Sequence, residues 1–151
     1  MNLPAKIRIV DVGPRDGLQN EPDIVSTENK LALIDHILAA GFRRLEAGSF
    51  VNPKKVPQMA DGDAVFAGLP KREDATFIAL ALNLRGVERA IAAGAREVDM
   101  VIAYGRLRGS EHRYVFDHVR ACVEAVRVPV KAILETSALN DLEIAQAALI
   151  A

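Results

Sequence analysis

Two periods alternate along this chain. The run "KIRIVDVG" (6–13) places β-branched residues at every second position and predicts a strand. The next stretch, "STENKLALIDHILAAG" (26–41), spaces Leu31, Ile34, Ile37 and Leu38 three and four residues apart, which predicts a helix. Ser26 is its expected N-cap and Gly41 its stop. "RRLEAGS" (43–49) predicts a second strand, and after a Pro-punctuated loop "MADGDAVFAGL" predicts a short helix. The nearly continuous apolar run "ATFIALAL" (75–82) suits a strand buried on both faces. A helix over "LRGVERAIAAG" (84–94), a strand over "REVDMVIAYG" (96–105), a helix over 111–126, a strand over "PVKAILET" (129–136) and a helix over 141–151 complete the pattern.

Five consecutive βα units imply a parallel sheet with right-handed crossovers. Two architectures stay open at this point. Five units make a full doubly wound sheet of the flavodoxin type, or five-eighths of a (βα)₈ barrel.

Composition narrows the function classes. Half of the 151 residues are hydrophobic and 26% are charged, with a formal net charge of −1. That balance gives no electrostatic footprint for nucleic acid or for a membrane surface, so neither is expected as a partner. No apolar run approaches the length of a membrane span, and "MNLPAKIR" is too poor in apolar residues for a signal peptide. With Cys122 as the one cysteine, no internal disulfide is available. A cytoplasmic protein is expected.

In both architectures chemistry gathers at the C-terminal ends of the strands. The polar residues there are Asp11, Arg15, Asp16 and Gln19 after the first strand, then Glu46 and Ser49, then Asn83, Asp99, Lys131 and Glu135. Asp99 in "VDMVIA" and Lys131 in "PVKAIL" stand out, since a charge within a buried parallel strand is costly unless paired. They are either an interior ion pair without chemistry or a proton-handling pair tuned by desolvation. Arg15 and Asp16 are either a turn with a local ion pair or part of an anion or metal site that Glu46 faces from the next strand. His36, His112 and His118 show no metal-ligand spacing and are expected to serve packing or surface. Cys122 is expected to be a small buried apolar residue.

Two stretches carry resemblances. "VDVGPRDGLQNE", "IVSTENKLALIDHILAAGFRRLEAGSFVNPKKVPQMAD" and "ALNLRGVERAIAAGA" resemble hydroxymethylglutaryl-CoA lyase over residues 6–95. That family implies a TIM barrel and a retro-Claisen cleavage of an acyl-CoA to acetyl-CoA and acetoacetate with a divalent cation. "REVDMVIAYGRLRG", "YVFDHVRACVEAV" and "VPVKAILETSALNDLEIAQAA" resemble deoxyribose-phosphate aldolase over residues 96–151. That family is also a TIM barrel, and works through a lysine Schiff base without metal. A change of parent near "AAGA/REVD" implies recombined barrel fragments: an engineered chimera, with a natural fusion as the alternative.

The first resemblance implies that Asp16 is a metal ligand, that Arg15 stabilises the enolate and that Glu46 is an acidic residue beside the metal. Gln19 belongs to the same loop motif, and by their strand-end positions Gln19, Ser49 and Asn83 are the substrate-binding candidates. The second implies that Asp99 is a proton-relay residue and Lys131 an active-site lysine near it. The lyase's His-x-His pair, asparagine and loop cysteine match nothing in this sequence, nor does the aldolase's Schiff-base lysine. The expectation is therefore a single α/β domain over 1–151, a partial (βα)₅ barrel, folded but catalytically incomplete. It would rearrange to an open sheet or self-associate as a homo-oligomer through its open strand edges. The alternative is a lyase-type enzyme whose site is completed by oligomerisation. It would take weakly bound Mg²⁺ or Mn²⁺ and a small acyl-CoA or hydroxy-acid ligand.

Overall fold

A computed structural model describes residues 4–151. The first three residues of the N-terminal stretch, for which no signal peptide is expected, lie outside the described residues. Among these there are four strands: β1 (Arg44–Ser49), β2 (Thr76–Ala81), β3 (Glu97–Val101) and β4 (Val130–Ile133). All pair in parallel, in the order β1-β2-β3-β4. A sheet whose spatial order follows chain order has no reversal point, so the doubly wound alternative is excluded and an open segment of a barrel remains.

The strand expected over 6–13 does not form. Asp11 alone bridges to Leu45, with the Asp11 amide donating to Arg44 at 2.9 Å. This segment has β1 on one side and no neighbour on the other among the described residues, and a tight turn begins at Gly13-Pro14. The apolar side chains of the segment gain no burial there, with Ile7 and Ile9 exposed, so little beyond the one bridge holds it extended. β3 is also shorter than the strand expected over 96–105, because Tyr104–Arg108 turns into a helix, α4. The last strand stops at Ile133, ahead of a 3-10 turn at Thr136–Ala138.

Helices α1 (Thr27–Ala39), α2 (Gly62–Gly68), α3 (Leu84–Ala92), α5 (His112–Glu124) and α6 (Asp141–Ile150) follow the sequence pattern. Ser26 caps α1, accepting from the Asn29 amide at 3.3 Å. Gly41 and Gly94 end α1 and α3 at φ +102° and +99°, a conformation that a Cβ disfavours. Leu45 and Ala47 of β1, Phe77, Ala79 and Ala81 of β2, and Val98 and Met100 of β3 join the helices in one core with Ile34, Leu38, Val65, Val87, Val115 and Cys122. The alternate strand residues form the opposite, barrel-interior face.

That face carries the charges. A register shift between Glu46 and Gly48 realigns β1, so Ser49 pairs with Leu80, Leu80 with Asp99, and Asp99 with Lys131 in one row. Nearer the N-terminal end of the sheet, Arg44 is ion-paired with Glu97.

A buried lysine fixes the wall of the site. Lys30 of α1 donates to the Gln58 carbonyl at 2.6 Å and to Asp61 at 2.5 Å, while Asp61 also accepts from Thr27 at 2.7 Å. Gln58 in turn donates to the Glu21 carbonyl at 3.0 Å, linking the 50s loop to the end of the first loop. Replacing Lys30 by Ala strands Asp61. A loss of about 2 kcal/mol is expected in urea unfolding, below the range for fully buried pairs because Asp61 keeps a quarter of its side chain exposed.

Candidate active site

Gly13–Gly17 forms a single π-helical turn in which the Val12 carbonyl accepts from the amides of Arg15, Asp16 and Gly17. Asp11 closes the turn from below, its Oδ1 accepting from the Gly13 amide at 2.9 Å. This geometry buries Arg15 and aims its guanidinium at β1. Arg15 Nε donates to Glu46 at 2.6 Å, and Nη1 donates to Asp16 at 2.6 Å.

Glu46 joins two cations, since Lys131 Nζ lies 3.7 Å from its other oxygen. Lys131 is also ion-paired with Asp99. The result is one chain of alternating charge, Asp16–Arg15–Glu46–Lys131–Asp99, which spans the sheet from the first loop to β4. Glu46 and Asp99 are buried, Asp99 completely, whereas Asp16 and Lys131 each keep about half of the side chain in solvent.

Burial sets the proton affinity of Asp99. Desolvation raises it, the Glu46 carboxylate beside it raises it further, and Lys131 opposes both, leaving Asp99 pushed up to about 7. No protein N–H or O–H among the described residues is aligned on either Asp99 oxygen, so Lys131 is its charge partner. Desolvation also pushes Glu46 upward. A hydrogen bond from protonated Asp99, the Arg15 guanidinium and Lys131 outweigh that and hold Glu46 below the usual range. Below about pH 7 the proton therefore resides on Asp99 while Glu46 stays ionised.

Above this chain lies an open cavity of about 540 Å³, lined by Arg15, Asp16, Gln19, Leu80, Tyr104 and Glu135 among others. Arg15, Asp16 and Gln19 meet there, with Glu46, Asp99 and Lys131 in the linked layer of charge. Ser49 is buried with its hydroxyl unpartnered, next to the start of α2. Asn83 is placed elsewhere. Its side chain caps α3 by accepting from the Gly86 amide at 3.0 Å, and it lines a separate groove with Phe50, Arg85 and Arg89. Tyr104 had no place among the sequence candidates, although its position just past a strand end is the signal that marks such residues. Glu135 sits at φ 59° and ψ 51°, a left-handed conformation uncommon outside glycine, at the cavity rim.

Mg²⁺ or Mn²⁺ does not fit these residues. Among the described residues, no three His, Cys, Asp or Glu side chains converge on one point. Glu46 is held between two cations and Asp16 is bonded to Arg15, while a hard divalent ion needs about six donors, several of them anionic oxygen. No step is routed through a metal. The arrangement offers a fixed guanidinium for developing negative charge on an oxygen, and a carboxyl group that exchanges its proton near neutral pH through Lys131.

An open run of sequentially ordered βα units, with charged groups on the interior face of the strands, defines a partial TIM-barrel-type fold with a polar site. The chain belongs to the HMGL-like family, whose sequence model matches residues 6–150. It is 52% identical over 103 residues to the 3-hydroxy-3-isohexenylglutaryl-CoA/hydroxy-methylglutaryl-CoA lyase of Pseudomonas aeruginosa, covering 68% of this chain and 34% of that protein. The chain spans about a third of the length of the curated relatives it matches.

Solved structures agree. The HMG-CoA lyase of Bacillus subtilis superposes with a TM-score of 0.83 at 26% identity, over 99% of this chain and 55% of that one. An HMG-CoA lyase from Acinetobacter baumannii, in complex with coenzyme A and 3-methylmalate, superposes at 0.73 with 34% identity, over 83% and 43%. A putative deoxyribose-phosphate aldolase from Coccidioides immitis shares the fold at 0.67 and 21% identity, over 95% and 54%. Among the described residues no helix is long and apolar enough to cross a membrane.

The raised affinity of Asp99 has a sign that can be checked. The folded chain binds this proton more tightly than the unfolded chain, whose aspartates titrate near 3.8. Its contribution to stability is therefore fully present below that value and is lost as pH rises through about 7. Urea unfolding at pH 5 and pH 8 is expected to show a fall on the order of 2 kcal/mol, allowing for the opposite trend from Glu46. Asp99→Asn is expected to flatten that difference.

Proposed function

We propose that this chain is a chimera of TIM-barrel carbon–carbon lyases, a single α/β domain over 1–151. Residues 1–95 are hydroxymethylglutaryl-CoA-lyase-like and residues 96–151 are deoxyribose-phosphate-aldolase-like. In this reading it carries part of a cleavage site and is catalytically incomplete as one copy. The observation that carries the partial-site reading is the charge chain, in which Arg15 and Glu46 from one side of the division interlock with Asp99 and Lys131 from the other on one face.

Cleaving a carbon–carbon bond next to a carbonyl requires a base for the hydroxyl proton and a charge sink for the enolate that departs. Arg15 is placed to stabilise an anionic oxygen in the cavity, with Gln19 beside it. Asp99, reached through Lys131, holds or releases the proton. Among the described residues no three-donor metal cluster accompanies them, so the electron sink is weak in this reading. The ligand class is a small hydroxy acid or its CoA thioester. The cavity size supports this, as does the family relative that holds coenzyme A and 3-methylmalate.

The purified chain is expected to leave hydroxymethylglutaryl-CoA and deoxyribose 5-phosphate at the buffer rate in assays for acetyl-CoA, acetoacetate and aldehyde. Turnover well above that rate, abolished by Arg15→Met, would overturn the incomplete-site reading.

The second reading is a metal-dependent, hydroxymethylglutaryl-CoA-lyase-type enzyme whose site is completed by association of chains. The half-exposed Asp16 carboxylate, which lines the cavity while one of its oxygens is held by Arg15, favours it. Titration calorimetry with Mn²⁺ discriminates: heat that disappears in Asp16→Asn supports this reading, and no heat in the parent chain refutes it.

A further inference from the structure

A second cavity, of about 570 Å³, opens at the end of the sheet opposite the one that holds Arg15 and Asp16. It lies where β2 and β3 begin and where α2 and α3 end, and every residue that lines it falls between Phe66 and Arg96. Its floor is apolar. Phe66 and Phe77, both buried, form it with Leu69 and Ala93. Gly94, at φ +99°, adds no side chain to the opening, and a Cβ there would meet open space. The rim is basic, carrying Lys71, Arg72 and Arg96.

These cations exceed their partners. Arg43, Lys71, Arg72 and Arg96 stand against Glu73 and Asp74, an excess of two positive charges in a chain whose net charge is −1. Asp74 is shared by Arg43 and Arg72, while Lys71 and Arg96 pair with no carboxylate among the described residues. Helix C-termini attract cations, but the last-turn cation of α3 is Arg89 and α2 has none, so Lys71 and Arg96 do not serve there. Arg96 is nevertheless fixed in place. Its Nη1 donates to the carbonyls of Glu73 and Ala75 at 3.3 and 3.2 Å, which leaves Nε and Nη2 unbonded.

We propose that this cavity binds a small aliphatic carboxylate, its tail over Phe66 and Phe77 and its head group at Arg96 and Lys71. The free Nε–Nη2 edge of a guanidinium presents two parallel N–H donors, the arrangement that a carboxylate accepts bidentately. The volume falls within the range of small-molecule sites, and a mostly apolar floor with a few placed polar groups is their usual make-up. Head and tail are both needed. A bare anion gains only a solvent-exposed ion pair, which is worth little, and a neutral tail leaves the excess charge unanswered. This site stands apart from the cleavage chemistry proposed above, since the two cavities share no lining residue.

Backbone amide NMR of the chain, titrated with octanoate below its micelle concentration and separately with octanamide and acetate, is the test. Octanoate is expected to give saturable shifts clustered on Leu69, Phe77, Gly94 and Arg96. Octanamide, with the same tail and no charge, and acetate, with the charge and no tail, are each expected to bind about tenfold more weakly or worse. Two variants check the assignment. Lys71→Glu removes a rim cation at an exposed position, and Ala93→Leu fills the floor at a right-handed backbone position that leucine adopts. Both are expected to keep the helical signal of the parent and to weaken octanoate. The absence of saturable shifts overturns the proposal, as do shifts centred on Arg15–Gln19, octanamide binding as well as octanoate, or an affinity that both variants leave unchanged.

Discussion

The buried contact between Glu46 and its two cations governs this structure. Glu46 sits on a fully covered strand, where an isolated carboxylate is prohibitive, and it is retained because Arg15 and Lys131 reach it from opposite sides. Those reaches dictate much else. The π-helical turn at Gly13–Gly17 exists where Arg15 must descend onto β1, and β4 lies where Lys131 can span to both Glu46 and Asp99. Removing Glu46 would leave two cations facing each other above a half-neutral Asp99. The sheet interior is therefore specified by charge as much as by apolar packing, which is concentrated on the helix-facing side.

The same constraint shapes the chemistry. Arg15 is useful to an anionic ligand only because Glu46 and Asp16 fix its plane, and Asp99 holds a proton near neutrality only because burial and Glu46 act together against Lys131. Carboxylates committed to such pairs cannot also gather around a divalent ion. The family relationship and the absence of a three-donor cluster among the described residues are thus compatible, because the carboxylates of this part of the barrel are spent on ion pairs.

Much of this was legible in the sequence. The helices, their Ser26 cap and the Gly41 and Gly94 stops follow from local periodicity and φ preference, which packing reinforced. Arg15, Glu46, Asp99 and Lys131 were readable as strand-end charges because a charge in an apolar run must find a partner. Three features were not legible. The 6–13 run has the right alternation, but at this edge of the sheet its apolar side chains find no cover, which is a tertiary fact. The register shift at Glu46–Gly48, which sets the row Ser49–Leu80–Asp99–Lys131, leaves no signature in composition. Asn83 reads equally as a ligand-binding amide or as a helix cap, and the cap prevails through the Gly86 amide.

The central claim is that residues from the two halves of the chain form one energetically coupled unit. A double-mutant cycle on Glu46→Gln and Asp99→Asn, measured by urea unfolding at pH 7, tests it most directly. The account predicts a coupling of about 1 kcal/mol or more, since either change alters the proton held by the other site. Additive losses would contradict it, and would reduce the charge chain to separate ion pairs that share a face.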